Sequence, residues 1–189
     1  FIKGETKLYF KEADNTYTDT LKNFKDNTKF IGLDRDNCII TYSNSFTLSK
    51  NMWFENLSIN KTKGDDSGLT LQGKTLTLIN VKASANSLNI FNTGWGKTDP
   101  SGTLVIKGDT GLVGNIFPGP NFGNGVGSKG DVNITLEGGT YKEVGNVKAQ
   151  PNNKIDGNVY ITVTGGTYDN IKAAHTSENH KITKNAVLK

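Results

Sequence analysis

Two tight acidic clusters, Asp34-Arg35-Asp36 and Asp65-Asp66, are the first candidates for chemistry in this 189-residue chain. Paired carboxylates serve as acid and nucleophile in glycoside cleavage, and as oxygen ligands for calcium. Asp is also a common turn residue, because its side chain bonds to the backbone two residues on. A turn role is the expectation for both clusters, with Asp65 and Asp66 the place where a calcium ion could bind. No other cofactor is expected. His175 and His180 stand five apart with Glu178 between them. That spacing matches no established zinc pattern.

Aromatic side chains form the second group. Phe91, Trp95, Phe117 and Phe122 fall in two segments rich in Gly, Pro and Asn, residues 91–102 and 116–131. Such composition marks loops. Rings carried on loops offer flat faces to the apolar C–H side of sugars, while nearby Asn, Asp and Lys reach hydroxyls. These four residues are therefore the expected ligand-binding set. Trp53 would join them only if strand register turns it outward.

Composition narrows the function class. Lys and Arg number 22 against 18 Asp and Glu, giving a net charge of +4 and a pI near 9.0. Arg35 is the only arginine. Nucleic-acid readers rely on arginine for bidentate contacts, so nucleic acid is not an expected partner. Nor does any segment approach the ~20 apolar residues of a membrane span. Cys38 is the only cysteine and lies at an apolar position, as a buried structural thiol would.

The elements that must position these groups are legible in internal repeats. Gly130 and Gly157 open two segments, GDVNITLEGGTY and GNVYITVTGGTY, that align without gaps 27 residues apart. LVIKGDTG (Leu104 to Gly111) is a fainter copy. Upstream, Met52 to Ile59 aligns with Leu76 to Ala83 at an offset of 24, pairing Phe54 with Leu78 and Asn56 with Asn80. Within each copy apolar residues alternate with polar ones, the mark of a strand with one buried face. Stacked coils place Ile134 over Ile161 and Leu136 over Val163. The Gly-Gly pairs and the two asparagines are expected to turn corners in the left-handed backbone region.

These features predict an all-β, right-handed parallel β-helix solenoid of six to seven rungs. It is read as a single domain, residues 1–189. Residues 1–28 form an N-terminal cap, with a first strand near Leu8 and a helical turn near Leu21 and Phe24. Residues 29–189 form the rungs, with loop excursions at 91–102 and 116–131. The final segment lacks an obvious cap, which suggests a fragment of a larger multidomain protein.

The GGTY repeats and the run IGLDRDNCIITYSNSFTLSKNMWFENLSI resemble the pectate-lyase-like β-helices of large surface proteins in Gram-positive bacteria, over roughly residues 29 to 172. The resemblance implies an adhesin-like, cell-surface or cell-wall setting, with glycan or host matrix protein as partner. It carries no catalytic residue across, because neither the calcium-plus-basic-residue set of the lyases nor the grouped aspartates of the hydrolases has a matching motif. A non-catalytic binding module is the leading expectation. A lyase or hydrolase acting on acidic polysaccharide is the first alternative, with Asp34, Asp36 or Asp65 as its residues, and a structural spacer the second.

Overall fold

The computed structural model describes residues 8–9, 25–42, 46–61, 68–83, 88–93, 98–111, 114–120, 126–145, 153–172 and 180–189. Within them the chain is all strand, in the order β1 (Leu8–Tyr9), β2 (Thr28–Ile31), β3 (Ile39–Tyr42), β4 (Phe46–Thr47), β5 (Met52–Glu55), β6 (Ser58–Lys61), β7 (Gly68–Thr70), β8 (Thr75–Ile79), β9 (Lys82–Ala83) and β10 (Asn89–Thr93). It continues through β11 (Asp99–Pro100), β12 (Thr103–Gly111), β13 (Asn115–Pro120), β14 (Gly127–Lys129), β15 (Val132–Val144), β16 (Asn153–Asp156), β17 (Val159–Ile171), β18 (His180–Ile182) and β19 (Ala186–Leu188). No described residue is helical, so no helix here is long and apolar enough to cross a membrane.

Every strand pairing is parallel, and strands recur in the same order along the stack, which makes the chain a parallel β-solenoid. The first face stacks β2, β5, β8, β12, β15, β17 and β19. A second face runs through β1, β3, β6 and β9 and on to Gly111, Thr140 and Thr167. The third contains β4, β7, β10, β13 and then Val144. The fourth is a separate sheet of β11, β14, β16 and β18. About four turns supply a strand to every face, fewer than the six to seven rungs expected from the repeats. The shortfall has a simple origin: the fourth face begins only at Asp99, so earlier passes leave it unfilled.

Alternation fills the interior. Met52, Leu76, Leu104, Ile134 and Ile161 form one inward column, and Phe30, Phe54, Leu78, Ile106 and Leu136 another, all buried. A fully buried Leu or Ile contributes roughly 2 kcal/mol, so each column is a continuous source of stability along the stack. Cys38 lies in the same core, buried and without a disulfide, as the only cysteine of the sequence. The expected stacking of Ile134 on Ile161 and Leu136 on Val163 is observed. The gapless repeat slips once, where Glu137 pairs with Gly165, and returns to register at Thr140 and Thr167. The slip is a bulge that Gly139 (φ 95°) and Gly166 (φ 111°) accommodate in a region closed to most residues.

The expected loop excursions are only partly loops. Residues 89–93 and 115–120 are paired strands, and β11 and β14 occupy the far ends of the two segments. Gly and Pro content misreads them because Pro118 sits where the ladder shifts, and its carbonyl accepts a hydrogen bond from the Asn92 side chain (3.0 Å). The first strand expected near Leu8 is present as β1, paired with β3. Leu21, Phe24 and the rest of the cap between residues 10 and 24 lie outside the described residues.

Candidate functional site

Each expected site residue has a definite address or falls outside the description. Trp95, Phe122, Asp65, Asp66, His175 and Glu178 lie outside the described residues. Phe91 and Phe117 are strand residues, not loop residues. They are register partners on the third face, on the opposite side of the sheet from Ile90 and Ile116. Their rings stack on each other, centroids 4.8 Å apart and nearly coplanar in orientation (5°). Relative exposures of 0% and 5% leave no ring face open to a sugar. The correction is physical: alternation placed both rings on one side, and stacked coils brought them into contact.

Trp53 does turn outward, on the first face. Its indole N–H donates to Glu55 Oε2 (2.9 Å), and Lys29 Nζ lies 4.0 Å from the ring centroid. That cation–π contact adds to packing rather than leaving the ring bare. Asp34 is a turn residue. Its oxygens accept from the Asp36 N–H (2.9 Å) and the Asn37 side chain (2.7 Å), which hold its carboxyl below the usual range, with Asn37 the larger cause. Asp36 instead reaches Lys82 across the coils (2.9 Å), and Arg35 reaches the Asp109 carboxylate (2.8 Å).

The feature that sequence reading missed is an open depression on the second face, with a volume of about 420 Å³. Lys82, Gly111 and Thr140 are consecutive register partners there. Gly111 has no side chain, and a Cβ built on it meets nothing within 4 Å. A gap therefore opens between Lys82 on one coil and Thr140 on another. Lys142, Asp169, Ala83 and Tyr141 complete the lining. The two ammonium groups, one carboxylate and one hydroxyl stand over a largely apolar floor. Lys82 shares its charge with Asp36, but the two side chains are half and two-thirds exposed, and surface pairs of that kind contribute little.

The floor of the depression is held by the GGTY motif. Tyr141 Oη donates to the Gly138 carbonyl three residues back, and Tyr168 Oη does the same to Gly165. The two rings stack at 5.6 Å and 14°. Burial, with a smaller effect from Tyr168, pushes the Tyr141 hydroxyl well above its ordinary pKa of 10.0. Tyr141 is thus a neutral donor fixed in place, unsuited to act as a base near neutral pH. Among the described residues no three His, Cys, Asp or Glu side chains converge. The signal that could have revealed the depression is the glycine in LVIKGDTG at the position where the later repeats carry Thr140 and Thr167.

Comparison of the chain with protein-family models, with curated proteins and with solved structures finds no match in any of the three. The parallel solenoid and its repeats therefore rest on the sequence and the structure alone.

Proposed function

We propose that the chain is a non-catalytic, extracellular binding module that holds an anionic glycan in the depression on its second face. The observation that carries the reading is the opening at Gly111, flanked by Lys82 and Lys142 and floored by Tyr141. Ammonium groups attract carboxylate or sulfate substituents, Thr140 and Asp169 suit hydroxyls, and an apolar floor suits the C–H face of a sugar ring. The net charge of +4 favours an anionic ligand at long range. A rigid ladder of coils keeps such a site open before the ligand arrives, which lowers the ordering cost of binding.

The repeats and the FENLSI-type units support placing the chain among pectate-lyase-like right-handed β-helices of Gram-positive surface proteins, where an adhesive role on a cell wall or host matrix fits. Trp95 and Phe122 stay in the proposal by residue type alone, as aromatic side chains suited to stacking on a sugar ring. The test is an array of glycans and matrix proteins, probed with and without calcium, with each hit assayed for cleavage. Uronic or sulfated oligosaccharides are expected to bind and remain intact. Lys142→Ala should weaken binding about tenfold, the effect of one lost charge-assisted contact, with the melting temperature unchanged. Trp95→Ala and Phe122→Ala measure the contribution of those two aromatic side chains separately. Cleavage of a bound glycan would replace this reading with the enzyme alternative, and silence across the array would favour a spacer.

A further inference from the structure

The depression on the second face contains a charge that a purely anionic ligand would not call for. Lys142 and Asp169 both line it, and both are exposed. They stand on adjacent coils, between the register pairs Tyr141 with Tyr168 and Glu143 with Asn170. Their backbones are therefore ~4.8 Å apart. Tyr141 and Tyr168, one residue earlier, pack into the core, so alternation turns Lys142 and Asp169 outward together. Among the described residues neither side chain is paired, with the other or with any third group. The opposite rim differs: Lys82 Nζ lies 2.9 Å from Asp36 Oδ1 and already has a counter-charge.

A carboxylate beside an ammonium in a binding depression acts on a ligand in one of two ways. It repels a ligand that carries only carboxylate or sulfate, or it receives a cation on the ligand. The second way fits the arrangement. Thr140 and Tyr141 beside it are uncharged at neutral pH, so neither calls for a carboxylate as counter-charge. Lys142 and Asp169 belong to β15 and β17, paired 13-residue strands that fix the spacing of the two charges before a ligand arrives. A positive and a negative group side by side are the complement of a negative and a positive group side by side. Charge-assisted hydrogen bonds are about twice as strong as neutral ones, which makes an ammonium a better partner for Asp169 than a hydroxyl.

We propose that the ligand of this depression carries an ammonium group beside its acid group, as a glycan that joins a free-amine sugar to a uronic acid does. The inference rests on the anionic-glycan reading and narrows it to a zwitterionic class. Lys142 receives the acid group, Asp169 the ammonium and Thr140 a hydroxyl, while Gly111 leaves room for the ring. Asp169 is then the residue that sets specificity. Both charges are exposed, so the selectivity it confers is modest, about fivefold.

The experiment is calorimetric titration of the whole chain with one oligosaccharide in two forms. The probe alternates uronic acid with glucosamine, offered with its amines free and again with them N-acetylated. Titrations run at about pH 6, below the range where amines lose their proton, and in chelator, so that no divalent cation stands in for the amine. The free-amine form should bind about fivefold tighter than the acetylated form. Asp169→Asn should abolish that preference by weakening the free-amine form and tightening the acetylated one, since it removes an attraction from the first and a repulsion from the second. Lys142→Ala should weaken both forms, and Asp156→Asn, on the fourth face, should change neither. Equal affinity for the two forms, or an Asp169→Asn variant that binds both more tightly, would overturn the inference. The anionic-glycan reading would survive either result as long as Lys142→Ala still weakens binding. Failure of the unaltered chain to bind either form would overturn both readings together.

Discussion

The early and late coils solve one geometric problem with different residues. Between the first and second faces the chain must turn once per coil. In the early coils Asn56 and Asn80 do this in the left-handed region, each with φ 51°. Their side chains then bind across coils: Asn56 Nδ2 donates to the Gly32 carbonyl (2.9 Å), and Asn80 Oδ1 accepts from the Asp109 N–H (3.0 Å). In the late coils the corner is opened out, so that β15 and β17 each run as one 13-residue strand through three faces. Gly139 and Gly166 absorb the bend there, and Tyr141 and Tyr168 brace it from three residues away. Asparagine combines turn and tie in one residue, whereas the Gly-Gly-Thr-Tyr unit divides the tasks, yet the two corners are equally long. Met52 to Ser58 and Ile134 to Thr140, matched positions on the two faces, each advance six residues. The difference teaches that corner chemistry can change while the corner's length and the inward columns stay the same. The later repeat is longer because the chain also passes through the fourth face, as β16 does between β15 and β17.

The comparison breaks first at Gly139. An added Cβ would meet Tyr141 Oη and the Thr110 carbonyl, at a φ of 95° that L-residues rarely adopt. Gly139→Ala should cost about 3 kcal/mol, read as a lower denaturation midpoint at unchanged slope. The equivalent early change, Asn80→Gly, keeps the φ and loses only the side-chain bond, so about 1 kcal/mol is expected. Equal losses at the two sites would mean that the braced glycine corner is no more demanding than the asparagine one.

Much of this division was legible beforehand. The alternation in ITLEGG and ITVTGG fixed which residues face inward, because period-2 patterning survives any choice of corner. Asn56 and Asn80 were readable as left-handed turn residues for the same reason: few other non-glycine residues tolerate that region. The depression was not legible, since it depends on the absence of a side chain at Gly111 and on which coils flank it. Phe91 and Phe117 misled for a related reason. Local composition says loop, but parallel pairing with neighbouring coils decides burial, and that pairing is non-local. Asp99 and Ser128 share the limitation, because nothing in the spacing of DPSG and GSKGD announces that they are register partners on the fourth face.

A smaller effect separates the braces themselves. Tyr141 is buried and Tyr168, on the next coil, is more open. Burial raises the hydroxyl pKa of both above 10.0. A raised folded-state pKa contributes stability that is fully present below the unfolded value and is lost as pH rises through the folded one. Stability should therefore be level up to about pH 10 and fall above it. Tyr141→Phe should flatten that alkaline decline more than Tyr168→Phe does, while costing about 1 kcal/mol at neutral pH through the lost bond to Gly138. Equal pH profiles for the two variants would show that burial does not distinguish the braces.

The smallest expected effect concerns the opposite corner, where chain from the fourth face enters the first. Asp131 Oδ1 accepts from the backbone N–H (2.8 Å) and the side chain (3.0 Å) of Asn158, and Asn158 Oδ1 accepts from the Asn185 N–H (3.2 Å), so one ladder ties three late coils. The early coils carry a counterpart, with Asp26 accepting from the Asn51 N–H (2.8 Å) and Asn51 from the Thr75 N–H (2.8 Å). Both ladders therefore start on a carboxylate and continue on amide oxygens. The backbone bond from Asn158, then its side chain and Lys184, hold the Asp131 carboxyl below 3.8. A depressed folded-state pKa contributes stability above the unfolded value that is lost as pH falls through the folded one. Asp131 should thus add a slight acid sensitivity below about pH 4, and Asp131→Asn, which keeps an accepting oxygen, should remove it with little change at neutral pH. Because Asp131 is fully exposed, water and salt screen the charge, and the difference should shrink further in 1 M salt. A difference that persists unchanged in high salt would mean that the hydrogen-bond geometry, and not the charge, distinguishes the first rung of the ladder from those that follow.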